Sequence, residues 1–156
     1  MTTIQPIPEQ SGTVLRDLMQ TLIDGREGFS MAADRLDDSG NTDIAATLRS
    51  FAEQRQRFAA ELQEAASDYV TLSDVKGSAA ADLHRAWMSL ADAITGDDPH
   101  AVLAVAEQGE DEAKKAYEQA LNEELPSDLR ELVSRQAAEV NAAHDRVRDL
   151  RDDHAS

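Results

Sequence analysis

The chain has 156 residues, 31 of them acidic and 15 basic, for a formal net charge of −16, with 41% hydrophobic and only 4% aromatic residues. Charge of that sign repels phosphate backbones and anionic lipid, which argues against nucleic acid and membrane surfaces as partners. The absence of cysteine excludes disulfides, thiolate metal sites, iron–sulfur clusters and cysteine nucleophiles.

Abundant alanine at helical spacing favours close-packed helices over a sheet, and the length suits one domain with a real core. The expected organisation is a flexible lead-in over 1–11, a helical domain over 12–151 and a frayed tail over 152–156. No apolar run reaches the roughly 18 residues of a membrane span. The start, MTTIQPIPEQSG, lacks the basic stretch and apolar core of a secretion signal. A cytoplasmic location is the expectation.

Ser11 or Thr13 can cap a first helix whose seam is Leu15, Leu18, Leu22, Gly25, Phe29, Ala32 and Leu36, ending near Asp38-Ser39-Gly40. Glycine at a seam position costs about 1 kcal/mol in helix propensity against alanine. Gly25 and Gly28 therefore suggest that something bulky, or another backbone, comes close. Asn41 or Thr42 caps a second helix from about Asp43 to Asp68. Ile44, Leu48, Phe51, Phe58, Leu62, Ala65 and Tyr69 lie along one of its faces, and the one position in that ladder that is not apolar is Arg55. The short turn makes these two helices antiparallel, which puts Arg55 at the depth of Leu22 to Arg26.

Residues 69–77 break the pattern. A shorter helix follows with Ala80, Leu83, Trp87, Leu90 and Ile94 on one face. Trp87 is the expected docking or interface anchor, with His84 beside it. Pro99 opens a third long helix with a slim seam of Val102, Ala106, Gly109, Ala113, Ala116 and Ala120. Ser127 opens the last, with Leu129, Leu132 or Val133, Gln136, Val140, Ala143, Val147 and Leu150. The fold class is all-α. The long connection allows the second and third long helices to run parallel, the one-crossover topology of ferritin-like bundles, with a five-helix array as the competing arrangement.

Asp24-Gly25-Arg26-Glu27-Gly28-Phe29, Gln54-Arg55-Gln56-Arg57-Phe58-Ala59-Ala60-Glu61-Leu62, Leu83-His84-Arg85-Ala86-Trp87, Gly109-Glu110-Asp111 with Ala116-Tyr117, and Leu125-Pro126 with Gln136 and Ala143-His144-Asp145 together carry a resemblance. The chain resembles the bacterial ferritin-like four-helix-bundle proteins of this length that are catalogued as a domain of unknown function. The resemblance implies a ferritin-like fold and a stress association, with no established reaction. Arg26 stands where the family pattern has a glutamate.

Ferritin-like di-metal centres take one glutamate from each of two helices and a Glu-x-x-His pair from each of the others. No Glu-x-x-His occurs here. Glu27 and Glu53 lie opposite their seams, whereas Glu110 shares a flank with Leu103, Ala106, Ala113 and Tyr117. A polar layer of Arg55, Glu110 and Gln136 is expected at mid-bundle, with His144, Glu107 and Arg26 at its margins and with Glu110 holding Arg55, joined by Gln136 or a water; the alternative is an Arg55 side chain that snorkels along the seam to the surface. An isolated buried charge is expensive and a paired one tolerable. The expected function is a non-enzymatic or not-yet-assigned bundle without cofactor, acting as a homodimer through stress-related contacts with an unknown protein partner. The alternative is a degenerate di-metal carboxylate protein, metal-binding or an oxidase or ferroxidase, that holds iron or manganese through Glu107, Glu110, Glu139 and His144.

Overall fold

Four helices account for nearly all of residues 7–70 and 99–153, which the computed structural model describes, and no strand occurs among these residues. They are α1 (Glu9–Asp38), α2 (Thr42–Ala66), α3 (Pro99–Leu121) and α4 (Ser127–Asp153). The shorter helix expected between α2 and α3, with Trp87 and His84, lies outside the described residues.

Helix ends depart from the sequence reading in instructive ways. Neither Ser11 nor Thr13 caps α1, which begins at Glu9 after Pro8. Ser11 is buried and donates to Glu123 Oε1 at 3.3 Å, while Thr13 donates back to the Glu9 carbonyl at 3.2 Å. The side chains that looked like caps are inside the first turns because the proline fixes φ and starts the helix early. Asn41 does precede α2, but its amide goes to Ser39 Oγ at 2.9 Å and caps no backbone group. The end of α1 is a Schellman motif. Asn41 N–H bonds the Leu36 carbonyl at 2.7 Å and Gly40 N–H bonds that of Asp37 at 3.0 Å. Gly40 has φ of 88°, a backbone conformation only glycine enters without strain. At the α3–α4 turn, Arg130 donates to the carbonyls of Leu121 and Glu123 at 2.8 and 2.5 Å. It satisfies orphan acceptors where the helix dipole favours a cation.

α1 packs on α2 and α3, and α4 packs on α3 and α2, so that α2 and α3 face each other across a diagonal. The core has two apolar clusters. One joins Leu15, Leu18 and Leu22 of α1 to Phe58 and Leu62 of α2, Ala113 and Tyr117 of α3, and Leu129 and Val133 of α4. The other joins Phe29 and Leu36 to Ile44 and Leu48, Val102 and Leu103, and Val147 and Leu150. Burying each such leucine contributes roughly 1.5–3 kcal/mol. Gly25, Arg55 and Glu110 fall in the gap between the clusters on their respective helices, and all three are buried.

Candidate functional site

Arg55 is a large cation in the middle of an otherwise apolar seam, and its side chain is 1% exposed. A guanidinium there needs a carboxylate, hydrogen-bond acceptors and space. All three come from different elements. Glu110 on α3, also 1% exposed, accepts from both terminal nitrogens, at 2.5 Å to Oε1 and 2.6 Å to Oε2. This fork-to-fork arrangement is the strongest geometry available to an arginine–carboxylate pair. Gln54 accepts from Nε at 3.3 Å. The Phe29 ring lies 5.3 Å beneath the guanidinium carbon, within reach of a cation–π contact.

Space comes from Gly25. A Cβ placed there would stand 3.6 Å from Arg55 Cγ and 3.8 Å from Nη1. An alanine would therefore touch the arginine in ordinary contact, and any longer side chain would displace it. The depth count along the first hairpin points to this pairing of Gly25 with Arg55. The glycine at a seam position also points to a bulky neighbour, and the structure adds that the slot has room for one methyl group.

Gln136 is fully buried but does not bond Arg55. Its carbonyl accepts from the Tyr117 hydroxyl at 2.8 Å. Its amide donates to the Phe58 carbonyl at 3.2 Å and to Glu61 Oε1 at 3.1 Å. Spacing puts Tyr117 on the flank that Glu110 shares. It is i+7 from Glu110 on α3, two turns further along the same face. Burial pushes its phenol well above the usual tyrosine range, while Arg55 pulls the other way. The polar interior thus has two tiers, one charged and one neutral.

The proposed margin residues separate from this interior. His144 is 7% exposed. Its Nε2 lies 2.8 Å from Asp111 Oδ1 and 3.9 Å from Glu107 Oε1, and its Nδ1 lies 3.3 Å from Asp145 Oδ1. Glu107 also bonds Arg151. Glu139 is exposed. Of the alternative metal set, Glu107 is the member that approaches His144. Glu110 is engaged by Arg55, Glu107 by Arg151, and Glu139 faces solvent. Among the described residues no group of three or more His, Asp or Glu side chains is arranged to hold a metal ion. Trp87 and His84 lie outside the described residues.

Asp24 was not anticipated. It is 2% exposed and accepts from Gln20 Nε2 at 3.0 Å. Asp17, Thr21, Asp24 and Gly28 form a second stripe on α1 in steps of four, three and four. That spacing was available, but a stripe of polar and small residues reads as solvent-facing. Thr21, Asp24 and Gly28 are buried.

The helices that supply Arg55 and Glu110 lie within residues 10–123, which match the model of a family described as Domain of unknown function (DUF2383). The chain belongs to this family. No functionally curated protein matches it. The match to DUF2383 spans α2 and all of α3 and nearly all of α1, but it stops before α4, so Gln136, Glu139 and His144 lie beyond it.

Proposed function

We propose that this DUF2383 chain is a ferritin-like bundle with one long crossover between α2 and α3. In this reading it is a cytoplasmic, stress-associated homodimer that acts through protein contacts and lacks a complete di-metal centre. The core clusters support the crossover. The end of α2 shares its cluster with the start of α1, whereas the start of α3 shares its cluster with the end of α1. A connection between them then has to bridge the length of the bundle. Among the described residues no helix is long and apolar enough to cross a membrane.

One observation carries the absence of a di-metal centre in this reading. The inward carboxylate of α3, Glu110, is bound on both oxygens by a guanidinium buried beside it. A fixed cation repels divalent ions strongly where little water screens it. It also occupies both oxygens that would ligate them. Metal analysis of protein purified without chelator tests the reading, with substoichiometric metal as the expected result. About two equivalents of iron or manganese, the content of a di-metal carboxylate bundle, would overturn it. The second reading, a degenerate iron- or manganese-binding protein, is favoured by the approach of Glu107 and Asp111 to His144. The same measurement decides between the two.

A further inference from the structure

The α1–α2 hairpin buries the Arg55 guanidinium, and the carboxylate that holds it comes from the α3–α4 hairpin. The two helices that carry the pair do not pack on each other among the described residues, so the ion pair reaches across the bundle from one hairpin to the other. Elsewhere both seams are mostly apolar in steps of three and four, the α1–α2 seam richer in Leu and Phe and the α3–α4 seam in Val, with Tyr117 and Gln136 among its buried residues. Apolar burial is non-directional and does not tell one such seam from another.

We propose that the Arg55–Glu110 pair is an assembly selector, which admits the α1–α2 hairpin against the α3–α4 hairpin at one register and rejects like against like. Two α1–α2 hairpins packed together would bring guanidinium to guanidinium in the core. Two α3–α4 hairpins would bring carboxylate to carboxylate. Both arrangements leave buried charge uncompensated, which is far worse inside than at the surface. Register follows from the same chemistry. A slip of α3 by one turn, about 5.4 Å, would place Ala106 or Ala113 opposite the guanidinium and strand both charges. Gly25 and Phe29 add shape to the charge rule, because they line the slot that receives the arginine stem and head. The proposal does not depend on the presence or absence of metal.

The test uses full-length R55M, E110M and R55M/E110M, followed by thermal melting and by size-exclusion chromatography with light scattering. Each single variant is expected to lose about 10 °C, since it strands one buried charge. The double variant is expected to recover most of that loss while spreading over several assembly states where the parent gives one. Single variants that melt with the parent overturn the proposal. So does a double variant that keeps one species of the parent mass. Should the double variant fail to fold, R55E and E110R decide. Each alone places like charges in the core, and the two refolded together are expected to form a heterodimer with exchanged hairpins. Failure to form that heterodimer overturns the selector.

Discussion

Helix α3 offers two carboxylates three residues apart, and each meets an arginine. Glu110 meets Arg55 at mid-bundle, where both side chains are 1% exposed. Glu107 meets Arg151 at the rim, where the side chains are 13% and 30% exposed. The chemistry is the same and the surroundings differ. Water at the rim solvates whichever partner is left behind, and the core has no such substitute. The comparison teaches that accessibility, more than composition or spacing, turns a charged residue of this bundle into a structural commitment. It also explains why Glu107 and Glu110, three residues apart on one helix, differ in how firmly the fold depends on them.

The sharpest way to break the comparison is Glu110→Gln, which keeps shape and removes charge. Arg55 then stays buried without its counter-ion, and the expected loss is about 3–5 kcal/mol by chemical denaturation. The loss should change little between low and high salt, because ions do not enter the pair. A loss below about 1 kcal/mol would put the core pair in the same class as an exposed one.

The neutral tier lies between these extremes. Tyr117→Phe removes the donor to Gln136 Oε1 and leaves that acceptor buried, for an expected loss of about 1–2 kcal/mol at neutral pH. Its pH dependence has a definite sign. Burial raises the folded-state pKa of the phenol, so the folded chain keeps the proton while the unfolded chain releases it near pH 10. The unfolded state then binds fewer protons, and stability falls as pH rises above about 10. The Phe variant should lose this part of the alkaline slope and retain that of Tyr69, whose phenol is also raised, by desolvation and by its bond to Asp128. An unchanged slope would show that Tyr117 ionises freely in the fold.

Periodicity reveals the angle of a residue around its own helix, and much of the bundle is legible from it. Arg55 stands on a seam face and Glu110 on the flank of one by spacing alone, and most residues of the two apolar clusters stand on seam faces too. The turn at Gly40 is legible because only glycine suits that backbone. Periodicity does not report how far a neighbour reaches. Gln136 stands on the seam, yet its long amide turns to Tyr117 and Glu61, and Glu110 alone satisfies both ends of the Arg55 fork. Glu139 and His144 flank one seam, but exposure separates them, because Asp111 and Glu107 of α3 close over the histidine only. Ser11 and Asp24 carry polar side chains whose burial depends on tertiary partners such as Glu123 and on neighbouring helices. Local pattern does not contain that information.

The smallest expected effect is at the rim, and it completes the comparison. Glu107→Gln removes the partner of Arg151 and the more distant of the two α3 carboxylates near His144. Arg151 remains solvated through its exposed side and through Asp152, whose Oδ1 it reaches with Nη2 at 3.1 Å. The expected loss is at most about 1 kcal/mol. It should shrink further in 1 M salt, where the screening length falls to about 3 Å. Titrating both glutamine variants against salt then gives two curves, a flat one with a large offset for Glu110→Gln and a shallow one decaying towards zero for Glu107→Gln. Curves of equal height would mean that the two carboxylates share one environment, and the distinction between core and rim would fail with them.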